Sequence, residues 1–242
     1  MKKIITNAWL LLPNPMGAEM FAKAGFDSVT VDLQHGLLDY NSALECFRGA
    51  ALHGAQPWVR IAGNDPDIIT KYLDAGAEGI ICPMISTADE ALSFVNACKY
   101  QFDGGFRSFG PVRAALVHEN YVERSAKIVT KLAMIETREG FDNAAEIAAT
   151  QDLDGLFIGP SDLALSFGMP PGFENRNPMF LELIDNIRTA AHKQNILCGI
   201  YAGSAEYARE MIERGFDLVT GATDSAILLS GAQASIKTLK GG

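Results

Sequence analysis

Histidine, cysteine and tryptophan are scarce in this chain: four, four and two among 242 residues. The cysteines, at positions 46, 82, 98 and 198, are scattered. There is no Cys-x-x-Cys and no His at metal-ligand spacing, which excludes a zinc ribbon and a disulfide scaffold. Buried thiols in a reducing cytoplasm are the expectation. No apolar run approaches the ~20 residues of a membrane-spanning helix. Lys2-Lys3 precedes the apolar run Ala8 to Leu12, but that run is short and passes into Pro13-Asn14-Pro15. Without a small-residue cleavage pattern it reads as a first strand, not a signal peptide. Charge of one sign is nowhere concentrated: 20 basic and 29 acidic residues give −9 without a run. That excludes a surface shaped for nucleic acid or an anionic membrane.

What is present is a steady alternation. With 48% apolar and 20% charged residues, residues 1–242 suit one domain with a substantial core. Short apolar strands are predicted near 8–12, 28–32, 56–60, 79–82, 131–136, 154–158, 196–200 and 217–220. Helices are predicted near 16–24, 41–53, 66–75, 87–99, 139–149, 178–194, 204–214 and 224–238. The strands do not alternate in polarity, as expected where both faces are covered. Four helix-to-strand joints share a pattern: Ala24-Gly-Phe-Asp27, Ala75-Gly-Ala-Glu78, Gln151-Asp-Leu-Asp154 and Arg214-Gly-Phe-Asp217. Three carry the Gly that ends a helix in the left-handed conformation, and all four carry an acid before or at a strand. Eight such units make a (β/α)8 TIM barrel the economical fold. An open doubly wound sheet is the alternative, but no Gly-x-Gly-x-x-Gly follows the first strand. Residues 100–122 break the rhythm, and Arg107, Arg113, His118 and Tyr121 mark them as a substrate lid or a subunit contact, with a disordered loop as the alternative.

Barrel active sites lie at the carboxyl ends of the strands. Those ends carry Trp9, Asp32-Leu-Gln-His35, Arg60, Cys82-Pro83, Glu136, Pro160-Ser-Asp162, Tyr201 and Gly221-Ala-Thr-Asp224. Glu136 and Asp162 end adjacent strands, and two hard oxygen ligands suit Mg²⁺ or Mn²⁺ with positions left for water and substrate. The alternative is that Glu136 pairs with an Arg and Asp162 caps a helix. Ser204 and Thr223 read as helix N-caps in preference to a phosphate site.

Taken together, these residues resemble the HpcH/HpaI class II pyruvate aldolases over nearly the whole chain. The resemblance rests on residues 25–36 with Asp32-Leu-Gln-His35, on Val59-Arg60, Cys82-Pro-Met84, Arg107-Ser-Phe-Gly-Pro-Val-Arg113, Ile135-Glu-Thr137 and Ile158-Gly-Pro-Ser-Asp-Leu163. It implies a barrel whose last helix is exchanged between subunits and a homo-oligomer, a hexamer built as a trimer of dimers. It implies a divalent metal (Mg²⁺, Mn²⁺ or Co²⁺) on Glu136 and Asp162. It implies small-molecule partners, a 2-oxo acid such as pyruvate and an aldehyde, joined or released as a 4-hydroxy-2-oxo acid in the cytoplasm. Arg60 would add fixed charge where the enolate oxygen forms. His35 would take the C4 hydroxyl proton. The backbone N–H groups of Ser161 and Asp162 would hold the substrate carboxylate, and Trp9 and Tyr201 would shape the pocket. Met134 stands where the family usually has Gln, which removes a hydrogen bond of about 1–3 kcal/mol to substrate. Gln34 stands where an acid is commoner. Asp74 matches the position that orients the catalytic His. Yet it ends a helix at the opposite rim, about 16 Å from its own His35 across a five-residue strand. Either it is a helix-end residue of no consequence or, the preferred reading, it serves a neighbouring subunit. Two other functions are carried beside the aldolase: an acyl-CoA lyase of the same superfamily, and a barrel that binds without catalysis.

Overall fold

The computed structural model describes residues 3–241, so Lys2 of the basic pair lies outside it. Eight parallel strands close on themselves in chain order: β1 (Ile5–Leu10), β2 (Ser28–Asp32), β3 (Gln56–Arg60), β4 (Gly79–Cys82), β5 (Thr130–Ile135), β6 (Gly155–Ile158), β7 (Leu197–Tyr201) and β8 (Leu218–Thr223). This is the expected (β/α)8 barrel. The helices are α1 (Pro15–Ala24), α2 (Tyr40–Ala51), α3 (Pro66–Asp74), α4 (Ala88–Cys98), α5 (Ala114–Val117), α6 (Tyr121–Ile128), α7 (Arg138–Asp142), α8 (Ala144–Ala148), α9 (Pro160–Ser166), α10 (Pro178–Lys193), α11 (Ala205–Glu213) and α12 (Asp224–Leu239). No described helix is long and apolar enough to cross a membrane. The four cysteines are buried, with no disulfide among the described residues.

The barrel is filled, not hollow. Trp9, Trp58, Ile81, Leu132, Met134, Phe157 and Leu218 pack inside it. Two of the large rings fit because glycine faces them: a Cβ on Gly79 would lie 2.5 Å from the Trp58 ring, and one on Gly199 would lie 2.7 Å from that of Phe157. Below them the buried Asn7 amide joins the Ser28, Thr30 and Thr220 hydroxyls.

The acid repeated at the joints has a direct role. Asp27 accepts the Thr6 N–H (3.0 Å), Asp154 that of Lys131 (2.8 Å) and Asp217 that of Cys198 (2.9 Å). Each carboxylate thus ties its strand to the first amides of the preceding one, along the rim opposite the strand ends. The chain turns into these strands through left-handed Gly25 (φ 103°) and Gly215 (φ 96°).

Three expectations need correction. The first strand begins at Ile5 and ends at Leu10, not at 8–12. The helix expected over 139–149 is two short helices broken at Asn143, whose side chain donates to the Ser86 carbonyl (2.8 Å). Residues 100–122 are not a lid over the chain's own site. They fold into a 3₁₀ turn (Gln101–Asp103), α5 and the start of α6, beside the carboxyl end of α3.

The last helix has little to pack on. Asp224 is buried and accepts the N–H groups of Leu11 and Leu12 (both 3.0 Å), but every residue from Ala226 to Gly241 is exposed.

Candidate active site

A cavity of about 150 Å³ opens at the carboxyl ends of the strands. Its polar side is Asp32, His35, Arg60, Ser161 and Asp162; its apolar side is Trp9, Leu11, Met134, Phe173 and Tyr201.

Asp32 organises the polar side. It ends β2, fully buried, and takes hydrogen bonds from Trp9 Nε1 (3.1 Å), the Gln34 N–H (3.0 Å), the His35 N–H (3.2 Å) and Arg60 Nε (2.9 Å), with Arg60 Nη2 as a further donor. Burial raises the Asp32 pKa, but the Arg60 guanidinium and then the Trp9 N–H outweigh it, so the carboxyl lies below its ordinary range. One carboxylate therefore sets the turn that carries His35 and the plane of Arg60, which lies 5.2 Å over the Trp9 ring. Arg60 is left with Nη1 for a ligand. His35 itself is exposed at the mouth.

Glu136 follows β5 and is 2% exposed. Its Oε1 accepts the N–H of Met84 (2.8 Å), a residue held at the uncommon φ of 58°. Its Oε2 faces Gly159, where any Cβ would collide with it. Burial pushes its pKa up to about 7; the Met84 N–H opposes this and the charge of Asp162 adds to it. The alternative roles weighed for the two acids are not those observed: Glu136 bonds a backbone amide, and the cap of α9 is Gly159, with no side-chain cap. Asp162 lies in the first turn of that helix.

The charges of Asp162 and Asp32 thus both act on Glu136, in a site whose single guanidinium is already bound to Asp32. Such an excess of negative charge in a partly buried space fits a divalent cation. Among the described residues no group of three or more His, Cys, Asp or Glu is placed to hold a metal ion, so two carboxylates at most would come from the protein. A cation on Glu136 and Asp162 would keep positions for water and substrate.

The sequence model of the HpcH/HpaI aldolase/citrate lyase family matches residues 6–230. The chain belongs to that family. It is 41% identical to a hydroxypyruvate/pyruvate aldolase of Rhizorhabdus wittichii, over 94% of this chain and 91% of that one. It is 32% identical to a 4-hydroxy-2-oxo-heptane-1,7-dioate aldolase of Salmonella heidelberg, over 93% and 86%. The crystal structure of an HpcH/HpaI aldolase/citrate lyase family protein from Burkholderia cenocepacia J2315 superposes with a TM-score of 0.91 at 28% identity, covering 98% of this chain and 95% of that one.

In this HpcH/HpaI chain, Trp9, His35, Arg60, Met134, Ser161, Asp162 and Tyr201 share the cavity, and Glu136 stands behind Gly159 beside it. Asp74 does not join them. It ends α3, where Oδ1 accepts from Arg107 Nη2 (2.6 Å), and it faces a separate hollow with Tyr40, Lys71, Val112 and Arg113. Ser204 caps α11 through the Tyr207 N–H (3.2 Å), whereas Thr223 gives α12 no side-chain cap and instead meets the Tyr201 hydroxyl (2.6 Å). Sequence reasoning missed three contributors: Asp32 as organiser, Leu11 and Phe173. For Asp32 a signal existed, an acid at a strand end three residues before His35. For Phe173, in a Pro- and Gly-rich connection, there was none.

The role of Asp32 makes a stability prediction. In Asp32→Asn the buried Arg60 charge loses its counter-ion, which costs about 3–5 kcal/mol. Denaturant melts should show that loss; one below about 1 kcal/mol would mean that Arg60 finds another partner or water.

Proposed function

We propose that this chain is a metal-dependent aldolase that cleaves or forms 4-hydroxy-2-oxo acids, releasing pyruvate or a related 2-oxo acid and an aldehyde. The observation that carries the reading is the excess of carboxylates beside Arg60 and His35 in one cavity of a family barrel. Glu136 and Asp162 would hold the divalent metal, Mg²⁺, Mn²⁺ or Co²⁺, which when bound supplies Lewis acidity toward the 2-oxo group.

The chain's own groups do the rest. The N–H groups of Ser161 and Asp162, in the uncapped first turn of α9, receive the substrate carboxylate. His35 takes the proton of the C4 hydroxyl, directly or through water. The C3–C4 bond then breaks and the aldehyde leaves. The electron pair moves into the pyruvyl fragment, where Arg60 Nη1 meets the charge developing on the keto oxygen, and C3 takes a proton from water to give pyruvate. Trp9 and Tyr201 pack beside the pyruvyl end (ring centroids 5.2 Å apart). Met134 makes the wall nearest Gly159 apolar. Schiff-base chemistry lacks a donor: Lys131 begins β5 at the other rim, paired with Asp154 (2.6 Å), and no described lysine lines the cavity.

The protein works as a homo-oligomer in a reducing cytoplasm. The exposed Ile227, Leu228, Leu229, Ile236 and Leu239 of α12 support exchange of that helix between subunits. In such a hexamer Asp74 of one chain would serve His35 of another.

The test is coupling of pyruvate to glycolaldehyde, with exchange of the pyruvate methyl protons for deuterium followed in parallel. Both should require added Mn²⁺ in metal-stripped protein. Full activity in excess chelator, or no activity with any divalent metal, would overturn the assignment.

A further inference from the structure

The connection from α9 to α10, residues 167–177, closes one side of the cavity. It leaves α9 through Gly168 in the left-handed conformation (φ 71°) and runs through Pro170-Pro171 to Phe173. The Phe173 ring lies 4.9 Å from that of Tyr201, which meets Trp9 edge-on at 5.2 Å. The three rings make a continuous aromatic run, from Phe173 on the connection through Tyr201 to Trp9, over which Arg60 lies.

That wall is fastened. The Asn175 carbonyl accepts the Tyr207 hydroxyl (2.9 Å), and Arg176 donates twice to Glu210 (2.7 and 3.0 Å), both partners standing on α11. Gly203 lets the connection lie close: a Cβ there would meet Phe173 Cβ at 3.0 Å and Glu174 Cγ at 3.1 Å. Phe173 is nevertheless 51% exposed, so a fixed aromatic face is left uncovered at the mouth. An apolar ligand group laid on it would remove that face from water.

Charge gives the second half of the argument. Among the described residues, Arg60 is the one guanidinium or lysine lining the cavity, and Asp32 holds it. The nearest cation along the connection, Arg176, is held by Glu210 and Glu174. Within one chain, a carboxylate at the far end of an aldehyde laid along this wall would meet no unpaired lysine or arginine among the described residues that line the cavity.

We propose that Phe173, backed by Tyr201, is the specificity wall of the aldehyde subsite and selects an uncharged aldehyde with an apolar body over one that ends in a carboxylate. This rests on the aldolase reading above.

The experiment compares kcat/KM for butanal and for 4-oxobutanoate, an aldehyde of the same length ending in carboxylate, with pyruvate and Mn²⁺ and the full chain. The wild type should favour butanal about tenfold or more, the usual scale for one apolar contact. Phe173→Ala should bring the ratio toward unity, mainly through the KM for butanal. Phe173→Arg should raise kcat/KM for 4-oxobutanoate above the wild-type value. A wild-type preference for 4-oxobutanoate, an unchanged ratio in Phe173→Ala, or equal loss with both aldehydes overturns the proposal. Pyruvate deuterium exchange separates the two levels: its absence in the metal-loaded wild type overturns the aldolase reading and this proposal with it. Exchange with an unchanged preference overturns this proposal alone.

Discussion

Glu136→Gln should abolish Mn²⁺ binding in calorimetry and lower turnover by about 10³-fold or more. A Lewis acid contributes several kcal/mol to such a step, and each 1.4 kcal/mol is a factor of ten. The substitution isolates that loss because glutamine keeps the shape and can still accept the Met84 N–H, the one hydrogen bond of the side chain among the described residues. The metal-free fold should gain, and the sign follows from the pKa. Burial raises Glu136 from 4.5 to about 7, so the folded state binds its proton more tightly than the unfolded one. The carboxylate is therefore neutral for stability below pH 4.5, and it destabilises increasingly as pH rises toward 7. In metal-free protein, Glu136→Gln should melt like wild type near pH 4.5 and higher at pH 8, by at most a few kcal/mol. Unchanged Mn²⁺ affinity would remove Glu136 from the ligand set.

His35→Ala should lower kcat by about 10²–10⁴, the usual scale of a general base, with metal binding retained. Loss of metal binding would make His35 a ligand instead. Asp74→Asn should also impair turnover, although Asp74 lies outside the cavity of its own chain. Arg107 fixes one Asp74 oxygen at 2.6 Å and is itself held by the Tyr121 hydroxyl (3.0 Å) between the rings of Tyr100 and Tyr121 (4.6 and 5.4 Å). This leaves the second oxygen for a group from another subunit. An acid at a helix carboxyl end opposes the macrodipole, a cost that the Arg107 ion pair offsets within the chain. Co-assembly of His35→Ala with Asp74→Asn gives interfaces in which an intact His35 faces an intact Asp74 of the other chain. Those mixtures should regain part of the activity. Full activity of Asp74→Asn alone, or no recovery on mixing, would refute a shared site.

The barrel could be read from sequence because its signals are local. Short apolar strands, Gly at the helix ends and an acid at each joint recur within a few residues of one another. What could not be read depends on partners far along the chain. The first strand looked shorter because Thr6 and Asn7 are polar. Their side chains are satisfied by Asp27, Ser28, Thr30 and Thr220, across the floor of a closed barrel. A carbonyl 57 residues away ends the helix at Asn143, and the 3.6 period runs on through the break. Residues 100–122 fold around Arg107, whose ionic partner, Asp74, lies 33 residues earlier. In the cavity, the residues at strand ends were found by their position in the βα repeat. Phe173 sits where no periodicity operates, and its place depends on tethers to α11.

The carboxylates of Asp27, Asp154 and Asp217 tie neighbouring strands together at the rim farthest from the cavity. Closure of the barrel is therefore secured at one end, while the connections that touch substrate occupy the other. A change of length or composition in residues 167–177 leaves those three seams intact. Substrate repertoire and thermal tolerance are thereby separately adjustable, which makes the chain a scaffold on which new acceptor preferences can be built by exchanging a single connection.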